Sequence, residues 1–348
     1  MVFDINGEQL ITFARFLGAA LAMGLAAVGS AMGIGLAATG ALSSMARRPA
    51  RQGEFIRTMF IGQAVAESTA IYGLVVAMLL LFTVGGGHTD GLHGSDWVNA
   101  VRLIAAGLTM GLGAIGAGYG IGVASQHAIN AMTQRPEMTG AFMRTMFLGM
   151  AITESPAIYA LVISMILIFV SGVPDAVGTF SANLVDIARF LGAGLAMGAG
   201  AIGAAIGIGV AAAKALTSIA RQPARQGALV RTMFLSMAIT ESPAIYALVI
   251  SLILLFVMPI PEAMTWAAGW AEMAKLLGGG IAIGFGTIGA GAGVGIAGVG
   301  GLLAIARTPS KEGSLLRTMF IGMGVTESPT IYALVVSLIL LFVVKVQV

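Results

Sequence analysis

Two long apolar stretches joined by a short basic loop occur four times in succession along this chain. The tetrapeptide Arg-Thr-Met-Phe marks the period, at Arg57–Phe60, Arg144–Phe147, Arg231–Phe234 and Arg317–Phe320, in steps of 87, 87 and 86 residues. Ten residues after each Arg stands a carboxylate: Glu67, Glu154, Glu241 and Glu327. Five further on stands a tyrosine: Tyr72, Tyr159, Tyr246 and Tyr332. A fixed period of this kind makes each repeat one supersecondary unit. The units divide the chain at 1–86, 87–173, 174–260 and 261–348.

Each apolar stretch exceeds the about 20 residues that a helix needs to cross a bilayer. A backbone in lipid must satisfy its own hydrogen bonds, which a helix does. Transmembrane strands would show segments of about ten residues with alternating polarity, and no such pattern occurs. The spacing predicts eight helices, near 10–46, 53–84, 97–133, 140–171, 184–220, 227–258, 270–306 and 313–345. The expected fold is an all-α membrane protein of four tandem transmembrane hairpins. Composition agrees, because 58% of the 348 residues are hydrophobic and 9% are charged, against roughly 25% charged in soluble domains. The absence of cysteine excludes disulfides, thiol catalysis and Cys-bound metals, and no metal site is expected. The opening MVFDINGEQL has no basic stretch before a short apolar core, so no cleavable leader is expected.

Charge placement gives the orientation. Arg47, Arg48, Arg51, Arg57, Arg135, Arg144, Arg221, Arg225, Arg231, Arg307, Lys311 and Arg317 cluster around the loops inside the hairpins, twelve of the 18 basic residues. The linkers between hairpins carry Asp90, Asp96, Asp175 and Glu262 and no base. Positive loops stay cytoplasmic, so both termini are expected on the opposite side. Arg15, Arg102, Arg189 and Lys275 recur at the start of each first helix. They read as interfacial side chains that snorkel to the headgroups.

The first helix of each hairpin carries small residues at every second position, as in Ala114, Gly116, Gly118, Gly120, Gly122 and Ala124. Two residues turn a helix by about 200°. Alternate small residues therefore form rows on two opposite faces, and each row marks one close helix contact. A helix squeezed between two similar neighbours is expected, and a closed two-layer ring with the first helices inside satisfies this for every unit. The glycines are not phosphate loops, because no strand precedes them and no Lys-Ser/Thr follows.

Ten residues of helix rise about 15 Å, half of a hydrocarbon slab of about 30 Å. Each Glu is thus expected near mid-membrane, where an ionisable group is costly and by default functional. No base lies at matching depth on the second helices, so the acid is expected to take up a proton or a cation. Ser68, Ser155, Ser242 and Ser328 follow each Glu directly, and Pro156, Pro243 and Pro329 come next in three units. Proline removes the donor for the carbonyl four residues earlier. That frees the carbonyls of Ile152, Ile239 and Val325 to accept a proton or bind a cation. Unit one has Thr69 in place of the proline, so its site is expected to be less open.

The small-residue alternation, the basic loop with its closest form at Ala220-Arg221-Gln222-Pro223, and the mid-helix Glu-Ser-x-x-x-Tyr together resemble the rotor-ring proteolipid, the c-subunit, of F-type ATP synthases. The resemblance covers essentially the whole chain, once per hairpin. Ordinary members have one hairpin, so this chain looks like a natural fusion of four. The resemblance implies a ring of copies in an energy-coupling membrane such as a bacterial plasma membrane. Glu67, Glu154, Glu241 and Glu327 would be its ion-binding acids, supported by the serines, tyrosines and freed carbonyls named above. It implies a stator whose a-subunit supplies an arginine and two access channels. It also implies central-stalk subunits gamma and epsilon, gripped by the loop residues Arg47, Arg48, Pro49, Arg135, Pro136, Arg221, Gln222, Pro223, Arg307 and Pro309. The chain would carry ions and catalyse nothing alone; no cofactor and no nucleic-acid partner is implied.

Sodium-binding members usually carry Gln or Glu on the first helix, fifteen residues before the loop proline. Here those positions are Ile34, Ile121, Ile208 and Val294, so protons are the expected ion, with sodium as the alternative. A vacuolar-type ring and a proton-coupled solute transporter are the competing readings. The transporter is disfavoured because the repeats are parallel, where such folds often show inverted ones. Whole chains in a ring give multiples of four hairpins, and twelve from three chains is the expected number.

Overall fold

The computed structural model describes residues 5–169, 180–258 and 265–346. All eight expected helices are present. They are α1 (Gly7–Arg47), α2 (Gln52–Phe82), α3 (Gly94–Gln134), α4 (Thr139–Phe169), α5 (Phe180–Arg221), α6 (Gln226–Phe256), α7 (Trp266–Arg307) and α8 (Glu312–Leu338), which runs on into a π-helical turn, Ile339–Val343. Each is long and apolar enough to cross a membrane. The first helices, at 41 or 42 residues, are about 62 Å long, roughly twice the hydrocarbon thickness. Part of each therefore lies beyond the apolar slab. The unit boundaries at 173/174 and 260/261, with Asp175 and Glu262, lie outside the described residues.

The hairpin turns share one construction. Arg48, Arg135, Gln222 and Thr308 leave the helix, with φ between −139° and −131°. A proline follows each, and the residue before proline is disfavoured in the α region. The proline then opens a single 3₁₀ turn, Pro49–Arg51, Pro136–Met138, Pro223–Arg225 and Pro309–Lys311. Its fixed φ and missing N–H suit a first helical position. The second helix starts directly from that turn.

The helices form two layers. In the first, α1, α3, α5 and α7 stand in a row, each packed along the next; in the second, α2, α4, α6 and α8 each lean on their own first helix. α2, α4 and α6 also touch the first helix of the following hairpin, while second helices meet one another sparsely. Large apolar residues such as Phe60, Leu74, Met78, Val162 and Val249 are exposed on this outer layer, as lipid contact requires.

The alternating small residues serve two opposite faces. On α3, a Cβ added at Gly118 would lie 2.5 Å from the Gly29 carbonyl carbon and 2.6 Å from the Ser30 nitrogen, both on α1. One added at Gly120 would lie 2.7 Å from the Ala205 carbonyl oxygen on α5. Gly122 meets α1 and Gly116 meets α5 in the same way. At the ends of the row one face stays open. Gly24 and Gly35 on α1, and Gly289 and Gly300 on α7, have nothing within 4 Å of where a Cβ would stand. The row is not closed within one chain.

Two expectations change. Arg15, Arg102, Arg189 and Lys275 do not simply reach for headgroups. They donate to carbonyls at the end of the paired second helix: Arg15 to Leu80 and Leu81, Arg102 to Ile168, Arg189 to Leu254 and Leu255, and Lys275 to Val344. The last carbonyls of a helix lack intrahelical donors, and a cation there also suits the helix dipole. Each base thus clamps the open end of its hairpin. Asp96 is not a linker residue but stands in the first turn of α3, where its Oδ2 accepts from the His93 N–H at 2.9 Å.

Candidate ion-binding site

Glu67, Glu154, Glu241 and Glu327 lie on α2, α4, α6 and α8, ten helical residues from the loop arginines that open those helices. No helix is broken at its proline; Pro156, Pro243 and Pro329 are accommodated inside α4, α6 and α8. Among the described residues no acid of the four is ion-paired. Glu154, Glu241 and Glu327 are half-buried, and Glu67 is exposed.

The partners of each acid come from the hairpin before it. Ser68 and Tyr72 reach Glu154 Oε1 at 2.5 and 2.6 Å. Ser155 and Tyr159 reach Glu241 Oε1 at 2.5 and 2.6 Å. Ser242 and Tyr246 reach Glu327 Oε1 at 2.6 and 2.9 Å. Sequence alone placed each Ser and Tyr around the Glu of its own helix, and this is corrected. At about 100° per residue, Ser sits 100° and Tyr 140° around the helix from the preceding Glu. Those two lie close together and face the next second helix, so the signal was present in the spacing.

Serine also answers the prolines. Ser155 Oγ donates to the Ile152 carbonyl at 2.8 Å, Ser242 to Ile239 at 2.7 Å and Ser328 to Val325 at 2.6 Å. These are the carbonyls that the prolines leave without a helical donor. Ser68 makes the same bond to Val65 at 2.7 Å, although Thr69 replaces proline there. A serine hydroxyl has one proton to give. If it goes to the carbonyl, the Oγ is left as an acceptor facing the carboxyl of the next hairpin. The tyrosine O–H completes the set as a donor to that carboxyl.

Hairpin one is the odd member. Gln63 stands one turn before Glu67 where the others have Met150, Met237 and Met323, and its Nε2 donates to the Ile34 carbonyl at 3.3 Å. Ile121, Ile208 and Val294 are fully buried apolar side chains, so at this level their first helices offer no side-chain oxygen.

At the chain's ends the pattern is incomplete. Among the described residues no hairpin stands before that of Glu67. Tyr332 is 67% exposed, and Ser328, with its bond to Val325, has no carboxyl in front of it among the described residues.

The basic loop residues gather at the hairpin turns. Arg47, Arg48, Pro49, Arg135, Arg221 and Arg307 are exposed, and Pro136, Gln222, Pro223 and Pro309 are partly so. Neighbouring turns are tied together. Arg135 Nε donates to the Ala220 carbonyl at 3.2 Å, and Glu312 pairs with Arg225 at 3.1 Å and Arg231 at 2.8 Å.

The sequence of each hairpin is similar to that of known proteins. The ATP synthase C-subunit family matches residues 17–80, 104–167, 191–254 and 277–340, once per hairpin and most of the chain. The chain belongs to the ATP synthase C-subunit family. An ATP synthase c-subunit from Dehalococcoides mccartyi is 50% identical over 73 residues, 21% of this chain and 96% of that relative. One from Natranaerobius thermophilus is 55% identical over 78 residues, 22% of this chain and 90% of the relative. One from Petrotoga mobilis is 49% identical over 69 residues, 20% of this chain and 72% of the relative. Each of these relatives aligns with about one hairpin, so this member of the C-subunit family is about four of them joined in one chain. With eight membrane-length helices, it is an integral membrane protein.

Proposed function

We propose that this chain is the ion-carrying rotor of a rotary ATP synthase, that several copies close head to tail into a ring, and that the carried ion is a proton. The observation that carries the reading is the offset between acid and partners. Three acids are held by the Ser and Tyr of the hairpin before, while Glu67 lacks such a hairpin and Ser328 and Tyr332 lack an acid among the described residues. Joining the end of one copy to the start of another supplies both. The open small-residue faces of α1 and α7 are what such a junction would use, because small residues allow close helix approach. Three chains would give twelve hairpins.

Hydrogen-bond bookkeeping favours the proton. With the carboxyl protonated, its O–H donates to the serine Oγ, the serine donates to the carbonyl, and the tyrosine donates to the carboxyl. Each proton then has one acceptor, and the site is neutral as it turns through lipid. With the carboxyl ionised, serine must choose between two acceptors, and a charge stands in the hydrocarbon. Sodium would need several oxygens, and at Ile121, Ile208 and Val294 the first helices of hairpins two to four supply none from side chains. In this scheme the a-subunit of the stator would hold the arginine that releases each proton and separates two access channels. The loops would face the cytoplasm and engage subunits gamma and epsilon. The membrane would be an energy-coupling one, such as a bacterial plasma membrane. The chain itself would catalyse nothing.

Carbodiimide labelling of the assembled protein, read by peptide mass spectrometry, tests both parts. All four acids should label, and millimolar Na⁺ at neutral pH should give no protection; protection would overturn the proton. Tyr332→Phe should raise the labelling rate of Glu67 about fivefold, the effect of one hydrogen bond of about 1 kcal/mol, and leave Glu327 unchanged. Tyr246→Phe should do this to Glu327. If Tyr332→Phe instead alters Glu327, the head-to-tail junction is wrong.

A further inference from the structure

At the end of the bundle opposite the basic loops, hairpins one and two enclose a cavity of about 340 Å³ that the ion sites do not use. This far exceeds the about 15 Å³ that one water needs. Its walls change character with depth. His88 and Asp96 line it near the start of α3, Asn99 and Arg102 follow one and two turns on, and Ile11 and Leu103 are apolar.

Arg102 is only 9% exposed. Its Nη1 donates to the Ile168 carbonyl at 3.3 Å, but its Nε has no partner among the described residues, and neither has the buried Oδ1 of Asn99. The corresponding bases in hairpins three and four have an anion built in. Arg189 pairs with Asp186 at 2.7 Å and Lys275 with Glu272 at 2.5 Å. Those acids stand three residues before their base, where hairpin two has neutral Asn99. A buried cation without a counter-charge is costly. Arg102 therefore calls for an anion, and a guanidinium favours phosphate oxygens.

The cavity also offers a negative charge, at Asp96. Its Oδ1 accepts from the His88 N–H and lies 3.0 Å from the His88 ring nitrogen, and its Oδ2 accepts from the His93 N–H. A carboxylate has about four acceptor positions, so capacity remains. Six residues of helix separate Asp96 from Arg102, about 9 Å along the axis. Along the wall from the start of α3 an anion is thus followed, about 9 Å on, by a cation, with the apolar Ile11 and Leu103 lining the same cavity.

We propose that this cavity binds the phosphoethanolamine headgroup of a membrane lipid. The phosphate lies on Arg102 Nε and the Asn99 amide, either end of which can turn inward. The ammonium lies toward Asp96, and the acyl chains leave past Ile11 and Leu103. A zwitterion of that polarity matches the order of charges in the wall; an anionic headgroup would bring no cation of its own toward Asp96, whose ion-pair partner among the described residues is the His88 ring.

The test uses the purified assembled protein, stripped of lipid and re-equilibrated with phosphatidylethanolamine, phosphatidylglycerol or phosphatidylcholine, with bound lipid counted by native mass spectrometry. One phosphatidylethanolamine per chain should be retained in preference to the others. Asn99→Asp installs the carboxylate that hairpin three has at Asp186, and should cut that occupancy about tenfold by pairing with Arg102. Carbodiimide labelling of the four acids should stay normal in this variant. Asp96→Asn should erase the preference for phosphatidylethanolamine over phosphatidylglycerol. Equal retention in wild type and Asn99→Asp would overturn the site. Displacement of the lipid by millimolar inorganic phosphate would assign the cavity to a free phosphate and overturn the lipid.

Discussion

Glu241→Gln is expected to abolish ATP-driven proton pumping even though three of the four acids in every chain remain. Glutamine keeps the volume of the side chain, its amide N–H can donate to the Ser155 Oγ and its carbonyl can accept from Tyr159, so the ring should assemble. It cannot carry a negative charge. In the proposed rotor each revolution would bring every site past a stator arginine, and a neutral amide would leave that cation unpaired in a low-dielectric setting. Stranding a buried charge costs about 3–5 kcal/mol, which lowers a rate by roughly 10² to 5 × 10³. Acidification of inverted vesicles should fall to background, with ring assembly intact on a native gel. Pumping at half of the wild-type rate or more would mean that the acids act independently, and the rotor would be excluded.

The second large effect separates contacts within a chain from contacts between chains. Gly118→Val puts a branched side chain where a Cβ alone would stand 2.5 Å from α1 backbone. Backbone cannot swing aside as a side-chain end can, and overpacking costs about 1–3 kcal/mol or more. Loss of the folded chain from the membrane is expected. Gly289→Val places the same group where nothing lies within 4 Å. That chain should accumulate normally yet fail to form rings, because the blocked face is the one a second copy's α1 would fill. If both variants ring normally on native gels, α1 and α7 do not meet between copies.

Much of the fold was legible in the sequence, because lipid imposes few solutions. Lengths of apolar sequence, the loop prolines and the period of two in the first helices each forced a structural statement. The structure supports them in the 3₁₀ turns at Pro49, Pro136, Pro223 and Pro309 and in the opposed faces of Gly118 and Gly120. The expected depth of the acids rests on helical rise alone. Their partners were misassigned because proximity along the chain was taken for proximity in space. Ser68 lies next to Glu67 in sequence but points, with Tyr72, at Glu154. The angle around the helix carries that information, but it names a direction and not which neighbour stands there. The clamping role of Arg15 and Arg189 was likewise hidden, since it needs the position of the second helix's last carbonyls. The unmatched charge at Arg102 needed both a structure and a comparison between repeats.

Fusion has one further consequence. In a rotor of identical single hairpins every stride is alike. In the proposed ring the hairpin bearing Gln63 and Thr69 would return once every four strides, and its acid is the one whose Ser and Tyr would come from another polypeptide. A turning machine of this kind has an uneven gait: its pauses, timed on single molecules, would repeat with a beat of four.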